Sequence, residues 1–426
     1  MRFIPPENKV SDTLAPKRSE AISLTKENIG HFLHDLPSKA RYALAAAVHL
    51  PRGSLSVQIP DGRTFRVSGT KPGPNAEVIL HNWHLPHRAF SNATIGVAES
   101  YMDGDWTSPD ITTFLELFLV NQEMGEKLAG GASWFMTAVQ RLRHWLNENT
   151  LTNSKKNISA HYDLGNDFYS AWLDPSMTYS SALFTDGAQS LEAAQAAKYR
   201  ALAAGMGIKP TDHVLEIGCG WGGFAEFAAK EIGCKVTGLT ISRQQLDHAS
   251  ERMFKAGLSD RVEIKFQDYR DEKGVYDHIA SIEMFEAVGE RFWPAYFGKL
   301  NASLKPGGTA GLQVITISEP NFKLYRQRPD FIQRYVFPGG MLPTPQHLQQ
   351  LGANHGLTLK NEIMFGADYA RTLREWRTQF NGSWESVQNQ GFDARFKRLW
   401  EFYLHYCEAG FRSSYIDVRQ VVFAKK

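Results

Sequence analysis

The stretch Val214-Leu-Glu-Ile-Gly-Cys-Gly-Trp-Gly-Gly223 has the residue types and spacing to hold a ligand. A short apolar run ends in glycines at 218, 220, 222 and 223, and a helical pattern, Phe224 to Lys230, follows at once. This order predicts a buried strand, a tight turn and a helix N-terminus. Residues without a Cβ let the backbone pass close to a ligand, and free N–H groups at a helix start favour an anion such as a carboxylate. The expected ligand therefore carries an anionic group beside a flat base. A second candidate is Glu286, which follows Met284 and Phe285. A carboxylate among apolar neighbours is costly unless it is used or paired.

The pattern Glu216-x-Gly218-x-Gly220-x-Gly222 resembles the nucleoside-binding loop of class I S-adenosylmethionine-dependent methyltransferases. A dinucleotide-binding Rossmann domain uses glycines at similar spacing for a pyrophosphate. Glu216, among the strand's last residues, and the order of the strands downstream favour the methyltransferase.

The elements that must position this loop follow from the chain around it. Lys235–Leu239, Val262–Phe266, Tyr276–Ile282 and Thr309–Ile315 are strand-like, with helical patterns between them, and Ser242 can cap the helix from Arg243. Alternation of strand and helix predicts an α/β fold, a Rossmann-like parallel sheet covered on both faces, with ligands at the carboxyl ends of its strands. Tyr415 to Phe423 is a last strand-like stretch. Upstream, Gly53–Pro60 and Thr64–Ser68 alternate around Asp61-Gly62 as a hairpin, continued by Ala76–Leu80. A helical periodicity runs from Ile29 to Val48, and Ser108-Pro109-Asp110 starts another helix, apolar from 111 to 120. The expected organisation is a tail (1–25), a smaller N-terminal α+β accessory domain that binds lipid (26–140), a helical connector with Arg141, Arg143 and His144 (141–160), and a catalytic domain (161–426).

At 426 residues the chain exceeds one ordinary core. With 47 basic against 45 acidic residues it has no strongly basic face for nucleic acid. Its three cysteines form no Cys-x-x-Cys pair, which fits a reducing cytosol. No stretch is long and apolar enough to span a bilayer, so the expected location is cytoplasmic and peripheral to the inner membrane face. His81, His84 and His87 recur every three residues, but Pro86 places them in a loop without an acid or cysteine, and no metal is expected.

Further strings agree with one family. His161-Tyr-Asp-Leu-Gly-Asn-Asp-Phe168, Tyr179-Ser-Ser-Ala-Leu-Phe184, Gly238-Leu-Thr-Ile-Ser242, Glu283-Met-Phe-Glu-Ala-Val-Gly289 and Gly366-Ala-Asp-Tyr369 resemble the cyclopropane-fatty-acid synthases, which include the mycolic acid methyltransferases. The resemblance implies transfer of the sulfonium methyl to a cis double bond in an unsaturated phospholipid acyl chain. Accepting that methyl leaves a secondary carbocation, from which a base must take a proton while water is kept away. In the family the base is a bound bicarbonate. The resemblance assigns its contacts to Glu286, Tyr369 and the backbone of Ile315, with Ser181 where the family has cysteine and Gln313 where it has histidine. It places Tyr179, Ser180, Gly218 and Gly220 at the amino-acid end of S-adenosylmethionine, Thr240 and Gln245 at the ribose, and Tyr269 beside the adenine.

Serine and glutamine still offer hydrogen bonds to an anion, and cyclopropane is the leading product. The two departures leave a methylene- or methyl-branched chain as the alternative, for which a reductase partner would complete a saturated product. A methyltransferase for a soluble acceptor, and a lipid-binding protein without turnover, are further readings. A homodimer stays open.

Overall fold

The computed structural model describes residues 21–122, 164–185, 190–327 and 330–426. The connector 141–160, with Arg141, Arg143 and His144, and the end residue His161 lie outside the described residues.

The N-terminal unit is built on a five-stranded sheet in the order β1-β3-β2-β4-β5. Its strands are β1 (Ile22–Ser23), β2 (Arg52–Gln58), β3 (Thr64–Ser68), β4 (Lys71–Leu80) and β5 (Trp106–Thr107). β2 and β3 form the expected hairpin, turned at Gly62 with φ +92°. β4 does not extend it as a meander; it lies parallel to β2 on the other side. β1 pairs with β3, so the last residues of the expected tail belong to the sheet.

The helical periodicity of 29–48 is divided by Pro37 into a turn, Ile29–Phe32, and α1 (Ser38–Ala47). Where the sequence predicts a loop around three histidines, the structure has α2 (His84–Met102). Pro86 lies in its first turn, where a missing N–H breaks no helical bond. The helix is broken at Asn92 and Ala93, the latter at φ 47°. α3 (Ile111–Leu119) is capped by Asp110, which accepts the Thr113 N–H at 3.0 Å; Ser108 instead donates its hydroxyl to Glu77 O. Its apolar face is buried at Ile111, Phe114, Leu115 and Leu117, while Phe118 stays half exposed. The apolar helix read from the sequence is thus part of the core.

The C-terminal half carries a seven-stranded sheet in the order β11-β12-β10-β9-β6-β7-β8. These are β6 (His213–Ile217), β7 (Lys235–Thr240), β8 (Val262–Phe266), β9 (Tyr276–Ile282), β10 (Leu304–Ile317), β11 (Leu357–Met364) and β12 (Ile416–Lys425). β12 runs antiparallel to both its neighbours, and the remaining pairs of this sheet are parallel. Packed around it are α4 (Leu191–Met206), α5 (Gly223–Phe227), α6 (Arg243–Lys255), α7 (Trp293–Ser303), α8 (Gly366–Gly382) and α9 (Ala394–Arg412).

The two halves share one apolar core. Leu55, Phe65, Trp106 and Phe114 of the N-terminal unit belong to the same cluster as Trp172, Trp376 and Trp400. Polar contacts fasten the seam: Glu116 to Arg412 at 2.7 Å, Tyr335 to Glu99 at 2.5 Å and Gln122 to Asn321 at 2.6 Å. Among the described residues, no helix is long and apolar enough to cross a membrane.

Candidate active site

The carboxyl ends of β6, β7, β9 and β10 open into one cavity of about 1210 Å³. At its polar end the chain leaves β6 through Gly218 at φ +81°, where a Cβ would stand 2.8 Å from Met284 Cγ. Any larger residue would have to displace Met284 and hold a backbone conformation that side chains disfavour. Gly220, at φ +52°, completes the turn into α5. Glu216, just before the loop, keeps Oε2 without a hydrogen-bond partner among the described residues. Burial pushes its carboxyl up to about 8, against the pull of Arg252.

The other predicted cofactor residues line the same cavity. Thr240 Oγ1 donates to Gln245 Oε1 at 2.8 Å, which ties the end of β7 to the first turn of α6. Tyr269 packs edge-on against Tyr296 with ring centres 5.3 Å apart. The Tyr179 and Tyr403 hydroxyls are 2.8 Å apart, and Ser180 Oγ accepts from Lys198 Nζ at 2.6 Å. Lys198 is fully buried, and that burial pulls its ammonium down to about 7, opposed by Glu283, Asp174 and Glu216.

Beyond the cofactor end, Glu286, Ile315 and Tyr369 reach the cavity wall, whereas Ser181 and Gln313 do not line it and are 0% exposed. What these residues hold is a carboxylate of the protein itself. Glu283 Oε1 accepts the Ser181 N–H at 2.8 Å and Gln313 Nε2 at 2.7 Å; its Oε2 accepts the Tyr369 hydroxyl at 2.6 Å. Gln420 Nε2 donates to Gln313 Oε1 at 3.1 Å, which turns the Gln313 amide so that its N–H₂ faces Glu283. The Ser181 hydroxyl is turned away, toward Ala182 O. The Ile315 N–H is bound to Glu286 Oε1 at 2.5 Å.

Of the donors that the resemblance assigns to bicarbonate, Gln313 and Tyr369 are engaged by Glu283, the Ile315 N–H by Glu286 and the Ser181 hydroxyl by Ala182 O, and the site as folded does not fit that anion. Burial raises the carboxyl of Glu283, while Lys198, Tyr369, Gln313 and the Ser181 N–H oppose the rise. Burial, followed by the charge of Glu283, pushes Glu286 up to about 8. Glu286 Oε2 has no partner among the described residues.

Sequence reasoning passes over Glu283 and Lys198. The signal for Glu283 is an acid at the carboxyl end of the fourth strand of the sheet, three residues before Glu286; Lys198 lies in an alanine-rich helix and gives none. Among the described residues, no group of His, Cys, Asp and Glu could hold a metal ion, and His84 pairs with Asp105 at 3.0 Å.

This strand order, with a glycine turn after β6 and a cavity at the carboxyl ends, defines a class I S-adenosylmethionine-dependent methyltransferase. The chain belongs to the mycolic acid cyclopropane synthetase family, whose pattern matches residues 149–421. It is 39% identical over 344 residues to the tuberculostearic acid methyltransferase UfaA1 of Mycobacterium tuberculosis, covering 79% of this chain and 80% of that one. It is 33% identical over 388 residues to the cyclopropane-fatty-acyl-phospholipid synthase of Escherichia coli, covering 87% and 95%. The crystal structure of mycolic acid cyclopropane synthase CmaA1 with SAH and CTAB superposes with a TM-score of 0.60 at 29% identity, over 64% of this chain and 98% of that one.

Proposed function

We propose that the enzyme transfers the methyl group of S-adenosylmethionine to a cis double bond in the acyl chain of an unsaturated phospholipid, working at the inner face of the membrane. The observation that carries this reading is the continuity of the cavity. From the glycine turn it extends past Glu283 and Tyr369 to apolar walls supplied by the N-terminal unit, among them Leu44, Leu55, Ile95 and Phe114. A polar end for the cofactor joined to a long apolar path suits an acyl chain better than a soluble acceptor. The N-terminal unit is on this reading a wall of the substrate site as well as an accessory domain.

For the cofactor, the turn at Gly218 and Gly220 gives the close backbone approach that its amino-acid end needs, and the unpartnered Glu216 oxygen suits an ammonium. Tyr179 and Ser180 would border that end, Thr240 and Gln245 the ribose, and Tyr269 the adenine. When bound, the cofactor supplies an electrophilic methyl. The apolar and aromatic lining keeps water from the carbocation that follows, and ring faces stabilise a nearby cation by roughly 0.5–2 kcal/mol.

Ring closure to a cyclopropane is the principal product of this reading. A methylene- or methyl-branched chain is the second, favoured by Ser181 and Gln313 at the family's cysteine and histidine positions. The test is incubation with S-adenosylmethionine and vesicles of monounsaturated phospholipid, followed by mass spectrometry and proton NMR of the released chains. Gain of one CH₂ with upfield cyclopropane protons is expected; vinylic methylene or methyl signals would select the branched product. No gain on any unsaturated phospholipid would remove the substrate class.

Entry from the bilayer needs an apolar rim. Tyr42, Phe90 and Phe118 line the cavity yet are 53%, 49% and 47% exposed, and Tyr42 packs edge-on against Phe90 at 5.2 Å. Exposed apolar residues clustered at a cavity commonly mark a contact surface. Replacing Phe90 and Phe118 together by Ser is expected to lower vesicle binding in sedimentation at least tenfold, about 1.4 kcal/mol, without changing the thermal midpoint appreciably. Unchanged sedimentation would place the membrane contact elsewhere. Deleting the N-terminal unit is a poorer test, because the two halves share a core.

A further inference from the structure

We propose that Glu283 is the base of this reaction, a built-in carboxylate that does the work the family resemblance gives to dissolved bicarbonate. The inference rests on the acyl-chain reading above and deepens it.

Geometry carries the argument. Glu283 follows β9 at the carboxyl edge of the sheet, reaches the cavity wall and receives three hydrogen bonds, from Ser181, Gln313 and Tyr369. Three donors on one carboxylate favour its ionised form, the form able to accept a proton. Tyr369 and Gln313 are groups that the resemblance would place around an external anion, and Ser181 adds its backbone N–H, so the protein's own carboxylate fills the anion's position. The backbone at Glu283 is itself unusual. Its φ is 51°, in the left-handed region that residues with a Cβ rarely occupy, while its N–H still donates to Gln313 O at 2.8 Å. Such a conformation costs of order 1 kcal/mol or more and persists where the surroundings, or a function, require it. Here it turns the side chain out of the strand's alternation and into the pocket. Burial among apolar walls makes the carboxylate more basic, and Lys198 behind Ser180 is the nearby counter-charge.

The step balances without a further reagent. The alkene π pair forms the bond to the methyl carbon as the S–CH₃ bond breaks, its electrons remaining on sulfur. The neighbouring chain carbon is left as a cation. A Glu283 oxygen takes a proton from the added methyl, and the released C–H pair closes the ring; after a hydride shift between adjacent chain carbons, the same pair forms a methylene double bond instead. Glu283 ends the step as a carboxylic acid and gives its proton to water when the product leaves.

The experiment compares wild type, Glu283→Gln and Glu283→Gly on monounsaturated phospholipid vesicles with S-adenosylmethionine, in buffer freed of carbon dioxide and in the same buffer with bicarbonate. Cofactor affinity is measured by calorimetry alongside. Wild type is expected to turn over equally in both buffers. Glu283→Gln should bind the cofactor as wild type does and lose turnover by about 10²- to 10⁴-fold, the usual worth of a positioned base. Glu283→Gly, which relieves the backbone and vacates the pocket, should lose turnover as severely without bicarbonate and recover a substantial part with it. A merely structural role would not give that rescue. Wild-type turnover that collapses without bicarbonate, or a Glu283→Gln variant that works at the wild-type rate, would overturn the assignment. Absence of any acyl product from the wild type would instead overturn the substrate reading and this inference with it.

Discussion

Arg377→Met is expected to destabilise the protein by about 3–5 kcal/mol, the range for stripping the partner from a buried charge. Arg377, on α8, donates to the carboxylate of Glu408 on α9, and Glu408 is only 2% exposed. The same guanidinium donates to Thr112 Oγ1 at 3.2 Å and reaches His405 Nδ1 at 3.0 Å, so it joins α3 of the N-terminal unit to two helices of the C-terminal half. Burial, with Arg377 second, holds His405 far below the usual histidine range, so its neutral ring can accept these hydrogen bonds. Without Arg377, the cation left beside Glu408 among the described residues is Arg412 at 4.0 Å. Urea unfolding should show the loss as a lower midpoint. Because the cost lies in the stranded carboxylate, the double variant Arg377→Met, Glu408→Met should recover most of it. A double variant no more stable than the single one would mean that packing of the arginine stem dominates.

Glu286→Gln should make the protein more stable than wild type by a growing margin as pH rises from about 4.5 to about 8. The carboxyl of Glu286 is raised in the fold to about 8 from an ordinary 4.5, by burial and then by Glu283. Below the ordinary value both folded and unfolded chains hold the proton, and Glu286 contributes no pH dependence. Between the two values the unfolded chain releases a proton that the fold retains, so stability falls as pH rises. Above the folded value the penalty is complete. Each tenfold gain in the proton affinity of the folded carboxyl is worth about 1.36 kcal/mol, so the full margin is a few kcal/mol. Glutamine keeps an oxygen for the Ile315 N–H and carries no charge. Glu216 has the same sign of effect, and Lys198, drawn down to about 7, has the opposite sign above that pH. Both are common to the two proteins and cancel in the difference. Parallel denaturation curves at pH 5 and pH 8.5 read the margin directly; an equal margin at both would show that Glu286 is not protonated in the fold.

The sheet was legible wherever strands are buried on both faces. Val214–Ile217 reads as a strand because its apolar residues lead straight into the glycines that announce the turn, and Tyr276–Ile282 because Tyr276, Ile279 and Ile282 fall in a short stretch between turn signals. β11 was not legible. At the edge of the sheet it pairs with β12, and its alternation lasts only from Leu357 to Lys360 before exposed Asn361 and Glu362 break it where the register shifts. α2 was hidden for another reason: the break at Asn92 and Ala93 shifts the helical register midway, and Pro86 suggests a loop where it only occupies a first turn. Within the site, the positions proposed for the cofactor lie in short local strings that a sequence can display, and all of them line the cavity. The role of Glu283 depends on partners 102, 30 and 86 residues away along the chain. No local pattern encodes that convergence, and the same convergence is why Ser181 and Gln313 look like plain losses until the carboxylate they hold is seen.

Position 283 also has a genetic meaning. Glutamate and glycine codons differ by a single base, and the left-handed backbone there suits glycine better than the residue it carries. Passing from a tethered acid to an open pocket thus takes one mutational step, downhill in conformational strain. On the reading of Glu283 as the base, a chain that takes this step should become dependent on the carbonate content of its surroundings before it loses the fold.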